Sequence, residues 1–430
     1  VFIMQIKNNQ LYIGGVSADQ IAQQFGTPVY VYDVGQIRSI ISDMKEAFDA
    51  EKLNYQISYA SKAFSTVAIY DVLKHEIIHC DAVSGGEIAT IAKAGFPMKN
   101  VSFNGNNKSA DELMMAIDYK IGTIIVDNFH ELDLLNEILS ERKISQNVLM
   151  RISPGISAHT HKFISTGQQD SKFGFDLASG QAKKAFDKIQ ASEYLNLLGL
   201  HAHIGSQIFE SSGYSKLVDL LIKTASKWHF QAEIIDVGGG FGIKYTDADD
   251  PIPNAEFIHL ICQTAKASSR KYHAKLPEIW VEPGRSIVGP AGYSLYTIGG
   301  RKDIPGIRSY LSVDGGMGDN IRPALYQAEY KAVLVDQVDL PSEQVVRIAG
   351  KYCESGDVLI QKQELPKTYP GDLLAVLATG AYGYSMASNY NRNPRPAVVF
   401  AEKGKAKLVV KRETYEDITH LDLNYEVEND

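Results

Sequence analysis

From about residue 34 onward, apolar and polar positions switch between two periods with unusual regularity. Runs with strand character are centred on residues 54–60, 76–83, 100–104, 122–127, 147–152, 196–204, 232–238 and 278–282. Between them lie stretches with the 3.6-residue period of a helix, at 64–74, 87–94, 110–120, 131–143, 181–193, 214–228 and 256–273. A first helix at 34–50 precedes the first of these strands. Such alternation predicts parallel pairing through right-handed crossovers. Roughly 250 residues of it is the size of a closed (β/α)8 barrel of the TIM type. An open doubly wound sheet is the alternative.

Beyond about residue 286 the texture changes. Short strand patterns at 293–298, 309–313, 330–335, 343–348, 357–360, 373–377, 397–400 and 407–412 are separated by Gly, Pro and Asp turns. Residues 1–33 carry strand-like pieces of the same kind, at 10–13 and 29–32. The expected α/β architecture is therefore a barrel over 34–285 and a C-terminal all-β, Greek-key-like domain over 286–430, to which residues 1–33 return.

At 430 residues the chain is long enough for two domains, and its 44% hydrophobic and 22% charged content are ordinary for a globular protein. A net charge of −8 argues against nucleic acid as a partner. Cys80, Cys262 and Cys353 are an odd number without metal-type spacing, which points to a reducing, cytoplasmic setting. No apolar run is long enough to span a bilayer, and no signal peptide is legible. Residues 1–3, ahead of Met4, read as a start-site remnant.

The candidate chemistry falls at the predicted strand ends, where barrels build their sites. Residues 56–63 (QISYASKA) run a strand into Lys62, flanked by small residues. A lysine on the floor of a cavity there would be desolvated toward its nucleophilic form, as an imine with an aldehyde cofactor requires; a solvated lysine opening the next helix is the plainer alternative. Asp81 to Glu87 end the second strand, His201-Ala-His203-Ile-Gly205-Ser206 the sixth, Asp236-Val-Gly238-Gly239-Gly240 the seventh and Glu282-Pro283-Gly284-Arg285 the eighth. The glycines are either a tight turn or a cradle of amides for a phosphate, with Ser206 and the backbone after Glu282 as further donors. Their spacing is that of neither a dinucleotide fingerprint nor a P-loop, which suggests a monophosphate. His201-x-His203 lacks the partners of a zinc site, so no metal is expected. Two residues apart on a strand, both histidines would face inward, and His203 could present its ring to a planar cofactor. His159 and His161 read as ordinary surface or lid residues, and Lys172-Phe-Gly174 as a segment ordered by substrate. Glu282, flanked by apolar residues, needs a partner, either Arg285 or another cation, or else the nitrogen of a pyridine ring.

Lysine, phosphate cup and pyridine-pairing carboxylate together describe pyridoxal 5'-phosphate held in a barrel. The chain resembles the barrel-type, fold type III pyridoxal phosphate decarboxylases over nearly its whole length. The resemblance is carried by EPGR at 282–285, RPALY at 322–326, CESGD at 353–357, GAYG at 380–383, SNYN at 388–391, HKFISTG at 161–167 and SKFG at 171–174. It implies that Lys62 is the imine-forming lysine, that His203 stacks on the cofactor ring and that Glu282 pairs with the ring nitrogen. Ser206, Gly239, Gly240, Gly284, Arg285 and Tyr382 correspond to phosphate or cofactor contacts. Arg285, Arg322, Tyr326, Glu354 and Tyr382 correspond to substrate contacts at the distal end of an amino acid, and Cys353 to the proton donor. It implies, further, a homodimer in which Cys353 and Glu354 come from the second subunit. The activity implied is decarboxylation of meso-2,6-diaminopimelate to L-lysine and CO2. Ornithine- or arginine-type decarboxylation, an amino acid racemase and a non-catalytic cofactor-binding regulator are the alternatives; the arginines favour a substrate with a second carboxylate.

Overall fold

The computed structural model describes residues 4–156 and 167–428. His159 and His161 lie outside the described residues, as does most of the 161–167 motif. The chain divides into two compact units, one formed by residues 36–290 and the other by 1–35 together with 291–430.

The first unit is a closed barrel of eight parallel strands. In chain order these are Tyr55–Ala60, His79–Ala82, Val101–Phe103, Thr123–Val126, Gln146–Ser153, Leu195–His201, Ile234–Asp236 and Glu278–Val281. Each pairs with the next, and the eighth closes on the first through Ile279 with Tyr55 and Val281 with Ile57. The eight predicted strands are thus the eight observed ones, most of them shortened and the fifth lengthened by one residue at each end, and the open sheet is excluded. A two-residue strand, Phe175–Asp176, adds to the outside of the fifth. Ile125, Leu149, Ile234 and Trp280 form a buried cluster from the fourth, fifth, seventh and eighth strands.

Short capped loops follow the first four strands. Thr66, Ser84, Ser109 and Asn128 each accept an amide bond from the first turn of the helix they open, and Ser109 forms a full capping box with Glu112. Each such cap is worth about 1 kcal/mol. They also fix where the preceding residues, Lys62 among them, leave the rim.

The second unit is built on a mixed sheet. Its order is Val358–Leu365, Gln344–Ala349, Arg308–Val313, Gly292–Ile304, Val29–Asp33, Ala397–Glu402 and Lys405–Val410, with Leu373–Leu377 and Ala332–Leu334 attached beside Gly292–Ile304. Val29–Asp33 lies in its middle, antiparallel to one neighbour and parallel to the other. The unit is not purely β. Helix Ala18–Phe25 precedes the helix that the sequence reading placed first; Ser17 caps it and Ala18, Ile21 and Ala22 are buried. Its apolar i, i+3, i+4 spacing is present in the sequence but extends over only eight residues.

Candidate active site

At the C-terminal rim of the barrel, charged and polar side chains from six other strands or the loops after them gather around Glu282, which follows the eighth. Its Oε1 accepts a hydrogen bond from His201 Nε2 at 2.6 Å, and its Oε2 accepts one from Asn104 Nδ2 at 3.0 Å. Asp81, itself bonded through Oδ1 to Ser58 Oγ at 2.6 Å, also hydrogen-bonds Glu282. Arg151 adds charge from the fifth strand, and Asp236, from the seventh, also hydrogen-bonds Glu282. All these residues are buried. Glu282 is therefore not balanced by Arg285, the first partner considered from sequence. Arg285 instead donates to Ser206 Oγ at 2.9 Å and to the hydroxyl of Tyr245.

The three acids of this cluster separate in charge. Burial raises the carboxyls of Asp81 and Asp236 well above the usual carboxylate range, and the neighbouring Glu282 charge adds to this. Burial would raise Glu282 as well, but His201, the Asp81 hydrogen bond and His203 overcome it and hold the group well below that range. The cluster thus drives Glu282 toward its ionised form and Asp81 and Asp236 toward their protonated forms.

The sixth strand ends at His201, so strand alternation does not govern His203. The Gly239 amide fixes this ring: it donates to Nδ1 at 3.1 Å, which leaves Nδ1 unprotonated and any ring proton on Nε2. Burial, with Lys62 and Arg151 adding to it, pushes the His203 imidazole well below the usual histidine range. Lys62 lies in a single 3-10 turn, Ser61–Ala63, and is exposed, so the protein itself does not supply the desolvation expected from sequence. Its charge is felt by Glu87, whose carboxyl burial pushes up to about 7 against the Val83 amide and Lys62.

The triple glycine is required by close packing as well as by any cradle. A Cβ on Gly239 would lie 2.1 Å from the Glu282 carbonyl oxygen, and one on Gly240 2.2 Å from that of Gly205. Two of the three amides are committed, Gly238 to Asp236 Oδ1 at 2.9 Å and Gly239 to His203. Gly240 keeps an amide without a partner among the described residues. The opening amides of the short helix Arg285–Val288 likewise face no acceptor within that helix. Of the three glycine amides, that of Gly240 is thus uncommitted among the described residues, while Gly239 orients His203.

The Lys172-Phe-Gly174 segment is tethered by the barrel itself. Gly174 donates to Asp127 Oδ2 at 3.1 Å, and the Phe173 ring lies 4.4 Å from the Arg151 guanidinium carbon. Asn104, Asp127, Arg151 and Tyr245 were not singled out from sequence. For the first three, the available signal was a polar residue in or just after an apolar strand run.

In the sheet unit, Arg322 is buried, donates to Tyr330 Oη at 2.7 Å and lies against the rings of Tyr326 and Tyr330. Three loops are stitched together around Asp357. Its carboxylate accepts from the Met317 amide at 2.7 Å and the Tyr352 amide at 3.0 Å, and the Cys353 amide donates to Asn391 Oδ1 at 2.7 Å. Cys353 and Glu354 stand exposed at this junction. Tyr382 is half-buried with a left-handed backbone at φ 58°.

Comparison with known proteins agrees with this geometry. Residues 34–289 match the pyridoxal-binding domain of the pyridoxal-dependent decarboxylases. A diaminopimelate decarboxylase of Bacillus subtilis is 51% identical over 425 residues, covering 98% of this chain and 97% of the relative. That of Bacillus methanolicus is 52% identical over 410 residues, covering 94% and 95%. Among solved structures, the diaminopimelate decarboxylase of M. jannaschii in complex with L-lysine superposes with a TM-score of 0.92 at 35% identity, covering 98% of both chains. A Vibrio vulnificus lysine/ornithine decarboxylase with putrescine, 22% identical, shares the fold at a TM-score of 0.73, covering 90% of this chain and 99% of its own.

Proposed function

The chain belongs to the pyridoxal-dependent decarboxylases, within the group of its diaminopimelate decarboxylase relatives, and from that premise we propose the role of each site residue in converting meso-2,6-diaminopimelate to L-lysine and CO2. The observation that carries the reading is Glu282, hydrogen-bonded by His201 and Asn104 and held toward its ionised form, on the same rim as an exposed lysine and an amide without a partner among the described residues.

The residues present fit pyridoxal phosphate: Lys62 to tether it, Glu282 to pair with its ring nitrogen, and Gly240, Ser206 and the Gly284–Ser286 amides to take the phosphate. Bound there, the cofactor supplies an electron sink for the pair left behind when CO2 departs. Glu282 keeps a proton on the ring nitrogen. His203, turned by Gly239, offers a neutral ring face. Arg285 acts through Ser206, whose hydroxyl it holds at 2.9 Å. Arg322, Tyr326, Tyr382 and Glu354 grip the distal amino acid end, where a guanidinium matches a carboxylate in shape and charge. Remote binding of this kind orients the reacting carboxylate. Cys353 Sγ delivers a proton to the carbon that lost CO2.

The barrel, on this reading, holds the cofactor and the sheet unit carries substrate and dimer contacts. The functional unit is a homodimer with Cys353 and Glu354 contributed across subunits. The exposed thiol of Cys353 is best kept reduced, which supports a cytoplasmic setting.

Measured CO2 release with added cofactor tests the substrate. Diaminopimelate is expected to exceed ornithine and arginine by about 100-fold or more, as for a site built around a second carboxylate; equal or faster turnover of ornithine overturns the assignment. Mixing Lys62→Ala and Cys353→Ala chains tests the shared site. Random reassortment gives about one quarter of wild-type activity if the two residues come from different subunits. Activity no higher than the sum of the two variants alone sinks that part.

A further inference from the structure

The mechanism above assigns no function to His201 or Asn104, yet these two fix both oxygens of Glu282. We propose that His201, together with Asn104, is a positioning residue of the reaction, holding the Glu282 carboxylate in one orientation. The proposal rests on the reading that Glu282 serves the cofactor ring nitrogen.

A carboxylate offers about four lone-pair sites. His201 Nε2 takes one on Oε1 at 2.6 Å and Asn104 Nδ2 one on Oε2 at 3.0 Å, while Asp81 and Asp236 also hydrogen-bond the group. A bidentate arginine would have occupied both oxygens as a fork, but Arg285 is drawn away by Ser206 and Tyr245. The chosen donors are stiffer and single-pronged. They come from the third and sixth strands, on different sides of the barrel from the eighth strand that Glu282 follows, so the carboxylate cannot rotate without breaking a buried bond. His201 Nε2 must carry its proton, since the acceptor is a carboxylate, and its Nδ1 is buried with no partner. Nothing else in the described structure draws on this imidazole, so Glu282 is its one hydrogen-bonding task. The charged and titratable groups facing Glu282 are Asp81, Arg151, His201, His203 and Asp236.

The test uses full-length holoenzyme loaded with cofactor carrying 15N at the ring nitrogen. In the wild type the nitrogen resonance reports a protonated ring. Glu282→Gln, as the control, is expected to move it toward the unprotonated value. His201→Phe and Asn104→Leu are each expected to move it the same way. They should also lower kcat by about 10–100-fold, with KM within about twofold, as substitutions behind a directly acting group do. His201→Gln, which restores an N–H donor, should recover most of both signals. In a Glu282→Gln background, His201→Gln should add nothing further. A His201→Phe enzyme with wild-type resonance and kcat overturns the proposal, as does a Gln variant displaced as far as Phe. Should His201→Phe fail to fold, Asn104→Leu and the double-mutant cycle decide in the same terms. If Glu282→Gln itself leaves the resonance unmoved, the reading of Glu282 fails rather than the positioning.

Discussion

A single carboxylate, Glu282, shows what was legible at the residue scale. Its type, its apolar flanks and its place after the eighth strand suffice to mark it as a group in need of a partner. The partner itself was not legible. His201, Asn104 and Asp81 come from strands separated from Glu282 by 81 to 201 positions, and only barrel closure brings them together. Lys62 was legible as a residue, but its exposure was not, because neighbouring small residues do not say whether a cavity is open. The same distinction applies to His79, at the start of the second strand. Burial pushes its imidazole down to about 4, with the ring edge-on to Trp280 at 5.7 Å. The folded protein thus stays unprotonated there while the unfolded chain takes up a proton below about pH 6.5. Stability contributed by this site is present above pH 6.5 and is lost as pH falls toward 4. His79→Phe keeps the ring contact and removes the titration. Thermal unfolding is expected to show a higher midpoint than wild type at pH 5 and little change at pH 7.5, with about one proton fewer taken up on unfolding.

At the scale of elements, the eight barrel strands and their helices were readable because each repeats a period over enough residues to be seen. The helix Ala18–Phe25 was too short to stand out between strand-like pieces. The glycine turn could be singled out from sequence, but not its division of labour, since composition cannot say which amide already has an acceptor. That division makes Gly240 and Gly239 separable. Gly240→Ala puts a Cβ 2.2 Å from a carbonyl oxygen on a backbone at φ 97°, a conformation that costs about 1–3 kcal/mol for any residue with a side chain. It is expected to lower both the unfolding midpoint and cofactor affinity, while alanine at the exposed Gly300, where a Cβ meets nothing, leaves both unchanged. Equal cofactor titrations for Gly240→Ala and wild type would remove Gly240 from the phosphate site.

For the molecule as a whole, the change of texture near residue 286 marked the passage from barrel to sheet, and contact between residues far apart in sequence supplied the rest. Residues 1–35 belong with 291–430, and Val29–Asp33 is a central strand rather than an appendage. Its Tyr30 and Tyr32 hydroxyls bond the carbonyl oxygens of Asp319 and Gly380, each at 2.5 Å. Deleting residues 1–35 is therefore expected to leave the barrel resistant to limited proteolysis while residues from about 291 onward are degraded; a truncated chain that keeps both units intact would show the strand to be dispensable.

That buried middle strand also sets a timetable for synthesis. Val29–Asp33 leaves the ribosome before any strand of the barrel, yet one of its two neighbours, Ala397–Glu402, follows only after all of them. The barrel between them can close while translation continues, because every strand it needs lies within residues 36–290. The early strand, with four of its five side chains apolar or aromatic, must wait unpaired for most of that time. A nascent chain of this protein therefore carries a sticky, unpaired strand while the barrel is being finished, and that strand is where a chaperone is most needed.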